Sequence, residues 1–134
     1  MTRRVVKALR NRFVSILAHP TTRLLGERDP VDLDLEQVYQ VARENQTALE
    51  INCYSRRLDL NDAQARRARE VGVKLVLSTD THVLSQLDDI DLGLALARRA
   101  WAGPKDLLNT MGMEELMKWV ALKREGGGAD GRSV

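Results

Sequence analysis

Hydrophobic and polar residues alternate along the chain in blocks that predict strands and helices in turn. Short apolar runs (FVSILA, ALEIN and VKLVLS) follow longer amphipathic segments (TRRVVKALRN, DLEQVYQVARENQ and NDAQARRAREVG). Strands that alternate with helices in this way are typical of a parallel sheet with helical crossovers. The apolar runs are nearly continuous, as expected of parallel strands buried on both faces. The pattern therefore predicts an α/β protein with about three parallel strands and covering helices.

Local signals mark where these helices begin and end. Asp34 and Asn61 stand at the N-cap position of two amphipathic segments, and Gly72 follows the second of them as a C-cap. Beyond His82 the pattern is helical throughout, and Pro104 opens the segment PKDLLNT. A sheet of three strands is small, and its two outer strands would expose unpaired backbone edges. We therefore expect an incomplete sheet.

Length and composition limit the class of protein. The 134 residues suit one domain, and the formal net charge of +2 makes nucleic acid a weak guess on charge alone. No apolar run approaches the roughly 20 residues that a membrane span needs, so we expect no membrane association. The single cysteine, Cys53, cannot form an internal disulfide, which favours a reducing, cytoplasmic setting. Alternation along the strand puts Cys53 opposite Asn52, and we expect it to be a buried thiol.

The two ends of the chain differ in character. The first twelve residues carry five basic side chains and an apolar stripe, which favours a surface helix over a targeting peptide. The last ten residues, 125–134, are rich in glycine and polar residues and predict a disordered tail. Phosphate-loop, dinucleotide, zinc-finger and nucleophile-elbow motifs are all missing from the sequence. An aromatic fraction of 4% is too low for a base-stacking platform.

Polar residues follow each predicted strand, and they carry the candidate chemistry. His19 comes after ILA, Asn52 after LEI, and Asp80 and His82 after LVLS. The carboxyl ends of parallel strands share one edge, so these groups should lie close together. In an extended segment, Asp80 and His82 also point to the same side. Carboxylate and imidazole groups suit Zn²⁺, Mn²⁺ or Fe²⁺, so the pattern favours a metal site.

Plainer interpretations of the same residues stay open at this point. Asp80 would serve equally well as a helix or turn cap, and His82 would then bond a neighbouring carbonyl. His19 precedes Pro20, which holds the residue before it extended, so His19 also fits an ordinary loop position.

Four motifs in this order give the sequence a family resemblance. The segments ILAHPTTRLLG, ALEINCYSRRLDLND, VGVKLVLSTDTH and LGLALARRAWAGPKDLLNT resemble the C-terminal part of the PHP (polymerase and histidinol phosphatase) domain. More narrowly, they resemble that domain as carried by bacterial family X DNA polymerases. The resemblance runs from about residue 3 to residue 124, so residues 1–124 are assigned to this domain.

The resemblance implies a fold and an activity. The fold would be the C-terminal portion of a distorted (β/α)₇ barrel with a metal cluster at the carboxyl ends of its strands. The activity would be hydrolysis of phosphoesters that depends on manganese or zinc ions, as in the 3′-to-5′ exonuclease and repair phosphatase functions of family X polymerases. DNA ends or a small phosphoester would be the substrate.

Residue by residue, the resemblance assigns roles to five positions. His19 matches a late histidine ligand, and Asp80 and His82 match the final Asp-x-His pair, which makes these two the catalytic residues. Arg23 matches the arginine of an HPTGR motif and would face substrate phosphate. Asn52 would orient a ligand or contact substrate.

Departures from the family pattern set limits on this interpretation. Thr22 replaces the usual glycine of HPTGR, and CYSRR replaces a segment that contains Asn and Pro. The family's opening His-x-His pair, its middle histidine and its bridging glutamate have no counterpart in the sequence. We therefore expect an incomplete metal site and little or no activity from the chain alone.

Two other functions compete with phosphoester hydrolysis. In the first, the chain is a non-catalytic interaction module that docks on a partner supplying the missing barrel strands, or self-associates. In the second, basic helix residues bind nucleic acid directly. The residues concerned are Arg3, Arg4, Lys7, Arg66, Arg67 and Arg69.

Overall fold

The predicted order of strands and helices is confirmed by a computed structural model, which describes residues 1–126. Three strands alternate with three helices, and the described residues after the third strand form further helices. Three of these are short 3₁₀ helices, at Leu84–Asp89, Pro104–Asp106 and Leu108–Thr110. The strands and α-helices in chain order are α1 (Thr2–Leu9), β1 (Ile16–Leu17), α2 (Leu35–Glu44), β2 (Ala48–Asn52), α3 (Asp62–Val71), β3 (Leu75–Ser78), α4 (Ile90–Arg99) and α5 (Met113–Gly126).

The sheet is parallel and has the order β1-β2-β3. Ile16 pairs with Ala48, and β2 pairs with β3 from Leu49–Leu75 to Asn52–Ser78. All three strands therefore end at the same edge, as predicted. The α/β class and the three parallel strands are confirmed, whereas membership of a closed barrel stays a prediction.

The predicted caps set the ends of α2 and α3. The Asp34 side chain accepts a hydrogen bond from Gln37 N at 3.0 Å. Asn61 and Gln64 form a reciprocal capping box, in which each side chain bonds the other's main-chain N–H. Gly72 ends α3 with φ of 96°, a left-handed conformation that glycine adopts without steric cost.

Burial of the strands is less uniform than the apolar runs predict. Every residue of β2 is buried, because helices cover both of its faces. In β3, Leu75 and Leu77 are buried while the residues between and after them are half-buried. Ile16 in β1 remains 45% exposed. Full burial on both faces is therefore correct for the central strand and wrong for the two outer ones.

The two outer edges of the sheet also differ from each other. Asn109 covers the edge of β3, where its Oδ1 accepts from Leu77 N at 2.8 Å and its Nδ2 donates to Leu77 O at 3.0 Å. Leu107 extends this cover through a parallel bridge to Leu75. The expectation of two open edges is thus wrong at β3, since a side chain takes the place of a strand. Along residues 1–126, no strand pairs with the outer edge of β1.

The structure describes the amino end of the chain and part of the predicted carboxyl-terminal tail. Helix α1 buries Val6 and Leu9 and packs against α2, as expected of a surface helix with a basic outer face. The predicted tail covered 125–134, but Glu125 and Gly126 belong to α5, and residues 127–134 lie outside the described residues. None of the helices described is long and apolar enough to cross a membrane.

Candidate functional site at the carboxyl edge of the sheet

The carboxyl ends of the three strands deliver the predicted site residues to one edge. His19 follows β1 by two residues, Asn52 is the last residue of β2, and Asp80 follows β3 by two residues. Hydrogen bonds through Glu50 and Asn52 join these three positions into one connected cluster.

Glu50 lies at the centre of this cluster, and the sequence analysis missed it. Its side chain is only 4% exposed, and Oε2 accepts hydrogen bonds from the main-chain N–H of His19 and, at 3.2 Å, from Asn52 Nδ2. Glu50 and Asn52 are two residues apart on β2, so their side chains point to the same face. That spacing was a usable signal, because an acid inside a buried strand needs a partner.

Asn52 links Glu50 to Asp80. Its Nδ2 is 3.2 Å from Glu50 Oε2 and 3.4 Å from Asp80 Oδ2, and its Oδ1 accepts from Tyr54 N at 3.1 Å. The side chain is fully buried. With both amide groups bonded inside the protein, Asn52 is placed to orient the Asp80 carboxylate. A direct contact of Asn52 with substrate stays a prediction.

Asp80 and His82 lie together, but not for the reason predicted. Asp80 has φ of 52°, so the segment turns here and the alternation of an extended strand does not apply. His82 Nδ1 instead donates to the main-chain carbonyl of Asp80 at 2.6 Å and lies 4.0 Å from Asp80 Oδ1. The next helix has Val83 at its N-cap, so the prediction that Asp80 caps that helix is wrong, whereas the carbonyl contact of His82 is observed. The imidazole of His82 is 77% exposed.

Arg57 is the arginine nearest to Asp80. Its Nε lies 3.4 Å from Asp80 Oδ2, and its Nη1 lies 3.4 Å from the Arg23 main-chain carbonyl. Arg23 donates in return to the carbonyls of Arg57, at 2.8 Å from Nε, and of Leu58. Arg23 therefore holds two loops together, and its predicted contact with phosphate stays a prediction. Arg57 falls within the motif RLDLND, but nothing local in the sequence placed it beside Asp80.

A second buried acid holds the loop that carries His19. Asp59 is fully buried, and its Oδ2 accepts from Thr21 N at 2.9 Å. Burial raises the pKa of Asp59, and the hydrogen bonds from Thr21 offset part of that rise. Glu50 and Asp59 thus clamp the main chain at two points of the loop after β1. His19, one of the two clamped residues, is thereby held in a left-handed conformation with φ of 29°.

The donors for a metal ion are present only in part. Among residues 1–126, the buried His19 Nδ1 has no hydrogen-bond partner, and Asp80 and His82 follow the strand that ends at the same edge. A search of residues 1–126 finds no group of three or more His, Cys, Asp or Glu side chains placed to hold a metal ion. The chemistry of these donors suits Mn²⁺ or Zn²⁺, but the described residues do not form a full coordination shell.

Cys53 lies behind the site and contributes packing. It is fully buried, as predicted, and its Sγ is 3.4 Å from the Ile51 carbonyl. Burial raises the pKa of the thiol to about 11, so it is not a reactive thiolate near neutral pH. A Cβ on Gly93 of α4 would overlap Cys53 Sγ, so glycine allows α4 to pack closely on the end of β2.

Three of the six basic residues proposed for nucleic-acid binding form ion pairs. Arg67 donates to the two Glu36 carboxylate oxygens from Nε and Nη2, each at 2.8 Å. Arg69 Nε lies 3.2 Å from Asp106 Oδ2. Arg66 pairs with Glu70 and stacks on the Trp101 ring at 3.8 Å. These contacts neutralise three of the six basic side chains and favour a solvated helix face over a nucleic-acid surface.

Comparisons with known proteins bear on the same residues. The chain is 40% identical over 114 residues to the DNA polymerase/3'-5' exonuclease PolX of Bacillus subtilis (strain 168). It is 29% identical over 126 residues to a probable phosphatase of Shewanella sp. (strain MR-4) and 26% identical over 115 residues to one of Thermoanaerobacter sp. (strain X514). No protein-family model matches the chain. The resemblance predicted from the sequence is confirmed.

The matches cover most of this chain but only part of each relative. The alignment to the polymerase/exonuclease spans 85% of this chain and 20% of that protein. For the two phosphatases it spans 90% and 81% of this chain, against 47% and 44% of the relatives. The chain therefore corresponds to about half of the phosphatases that it matches and to a fifth of the polymerase/exonuclease.

Proposed function

Since this chain is a relative of a bacterial family X DNA polymerase/3'-5' exonuclease, we propose that it forms the C-terminal part of a PHP-type phosphoesterase site. The observation that carries the proposal is the connected cluster at the carboxyl edge of the sheet. There Glu50 and Asn52 tie His19 and Asp80 together. In parallel α/β folds this edge is where ligands bind.

Three side chains would hold divalent metal in this proposal. His19 has a buried Nδ1 without a hydrogen-bond partner among residues 1–126, Asp80 offers two carboxylate oxygens, and His82 has its Nδ1 bonded to a carbonyl. A carbonyl bond at one ring nitrogen fixes the tautomer and leaves the other nitrogen as a ligand. Bound Mn²⁺ or Zn²⁺ would supply an acidified water and neutralise charge on phosphoryl oxygens.

The remaining residues of the cluster would position these ligands. Glu50 fixes the main chain at His19, and Asn52 orients the Asp80 carboxylate. Arg57 places a positive charge within 3.4 Å of Asp80, where it would meet an anionic phosphoester. Because no three donors among residues 1–126 converge, the site would need ligands from elsewhere, and we expect the chain alone to be inactive.

A chimera tests this function with an internal control for folding. The matched region of this chain would replace its counterpart in the Bacillus subtilis relative, whose name assigns both polymerase and 3'-5' exonuclease activities. We expect the chimera to keep metal-dependent exonuclease activity, and His19→Ala, Asp80→Ala and His82→Ala each to abolish it while polymerase activity persists. Ser85→Ala, an exposed change just beyond the site, should leave both activities intact.

The outcomes separate the two parts of the proposal. A chimera that polymerises but has no exonuclease activity would count against the ligand assignment. The isolated 134-residue chain should show no turnover of a phosphodiester or of a 3′-labelled oligonucleotide with Mn²⁺ or Zn²⁺. Turnover by the isolated chain that is lost on His82→Ala would contradict the claim that its site is incomplete.

A second candidate function, an interaction module, is supported by the open edge of β1. Within residues 1–126 this edge has no strand neighbour, Ile16 is 45% exposed, and Phe13, three residues earlier in the chain, is 67% exposed. A partner or a second copy would extend the sheet here by strand addition. Size-exclusion chromatography with light scattering tests this: a concentration-dependent dimer that Ile16→Lys abolishes supports it, and a monomer at all concentrations opposes self-association.

A further inference from the structure

A cavity of about 200 Å³ opens at the opposite edge of the sheet, where the strands begin. Its wall includes Thr47 just before β2, Lys74 just before β3, Arg43 near the end of α2, and Trp119 of α5. The Arg43 side chain passes over Gly72, where Nε lies 3.7 Å from the position of a Cβ. Neither the proposed metal ligands nor their supporting residues reach this cavity.

The lining has positive charge and no acidic residue. Arg43 and Lys74 line the wall, and the Nζ of Lys123 lies directly behind it, 2.9 Å from Thr47 Oγ1. Across the described part of the chain, none of these three cations is within salt-bridge distance of a carboxylate. Helices α2 and α3 end here, and each C-terminus adds about half a negative charge. Arg43 and Lys74, whose Nζ also donates to the Lys105 carbonyl, therefore outweigh the partial negative charges of the two helix ends.

Lys123 makes this edge unusual. It is buried, and its Nζ donates to the Leu9 carbonyl at 2.7 Å as well as to Thr47. Burial lowers the pKa of Lys123, because the ammonium group has lost water without gaining a counter-charge. A buried cation paired only with neutral oxygens is stabilised by any anion that comes near it.

We infer that this cavity binds a small anion that carries one phosphate or carboxylate group on a short apolar body. The guanidinium of Arg43 provides a planar fork that matches either head group. The indole of Trp119 provides an apolar wall for the body of the ligand. The size of the cavity suits a small organic anion better than a polymer. This inference does not depend on the proposed phosphoesterase function.

Tryptophan fluorescence tests the inference on the 134-residue chain. The chain has two tryptophans, and Trp101 is 64% exposed and remote from the cavity lining, so Trp101→Phe leaves Trp119 as the sole reporter. Phenyl phosphate, benzoate and neutral benzyl alcohol would be titrated in turn. We expect a saturable change in Trp119 emission with at least one anion and none with the alcohol. The anion that binds with the higher affinity identifies the preferred head group.

Matched variants connect the signal to the cavity. Arg43→Gln should weaken anion binding roughly tenfold or more, because it removes a charge-assisted hydrogen bond, and Lys74→Gln should weaken it less. Arg98→Gln removes an exposed arginine outside the cavity and should leave affinity unchanged. Circular dichroism would establish that each variant is folded, and Arg43→Lys would replace Arg43→Gln if the latter is not.

Three results would overturn the inference. These are no saturable change with either anion, an equal response to benzyl alcohol, and unchanged affinity in both the Arg43 and Lys74 variants.

Discussion

The carboxylate of Glu50 accepts a hydrogen bond from the main-chain N–H of His19, thirty-one residues away in sequence. This contact ties the loop after β1 to the central strand of the sheet. It also places a buried acidic side chain beside a predicted metal ligand. The position of His19 therefore depends on a residue that is not itself a predicted ligand.

Glu50→Ala should loosen the loop that carries His19. The change leaves the His19 N–H without its acceptor and removes one of the two acceptors of Asn52 Nδ2. Loss of a buried partner costs about 1–3 kcal/mol of unfolding free energy. Urea denaturation measures this cost, and amide hydrogen exchange should show faster exchange at His19. Glu50→Gln keeps an acceptor oxygen and should lose less. Glu44→Ala, at an exposed position of α2, is the control, and equal stability of Glu50→Ala and the parent would contradict the prediction.

Gly93→Ala should destabilise the packing of α4 on β2. The new Cβ would overlap Cys53 Sγ and lie 3.0 Å from Cys53 Cβ, so the helix or the strand must shift. Such overpacking costs about 1–3 kcal/mol, measurable by chemical denaturation. In a Cys53→Ala background the same change should cost less, because the sulfur is gone. Gly112→Ala has open space around it and should be nearly neutral.

Asn109→Ala should uncover the edge of β3. Asn109 bonds both the N–H and the carbonyl of Leu77, so its loss leaves two main-chain groups of an edge strand unpaired. We expect a loss of about 1–3 kcal/mol and a greater tendency to associate at high concentration. Light scattering and denaturation measure the two effects. Asn109→Asp, which cannot donate to the carbonyl, should be destabilised as well, and a fully stable monomer in both variants would refute the role.

Asp59→Asn should alter how stability depends on pH. Burial raises the pKa of Asp59 above its ordinary value of 3.8, so the folded chain holds this proton more tightly than the unfolded chain. Its contribution to stability is therefore complete below the unfolded pKa and is lost as pH rises through the folded pKa. The parent should lose stability from this group over that interval, and Asp59→Asn should not. Urea denaturation at several pH values from about 4 to 7 compares the two profiles, and identical profiles would contradict the assignment.

Local signals predicted the helices well because they act within a few residues. Asn61 and Gln64 form their capping box inside one helical turn, and Gly72 ends α3 by its own backbone conformation. The same holds for the strand ALEIN, whose predicted bounds match β2. By contrast, the extended conformation expected at Asp80 is wrong, because a left-handed residue there turns the chain.

Long-range contacts could not be read from the sequence. The side chains of Arg23 and Arg57 each donate to the other's main-chain carbonyl across thirty-four residues. Asn109 covers a strand thirty-two residues away. No periodic pattern in the sequence indicates either contact. The cavity beside Arg43 and Trp119 likewise joins α2 to α5 across most of the chain.

The sequence by itself determined the order of strands and helices, their parallel arrangement, and the edge at which His19, Asn52 and Asp80 arrive. It could do so because hydrophobic periodicity and capping are local, and parallel strands necessarily share an edge. Only the tertiary structure decided that Glu50 and Asn52 link those residues and that Arg57 accompanies Asp80. Those contacts depend on how side chains from distant segments pack, and packing is a property of the folded chain as a whole.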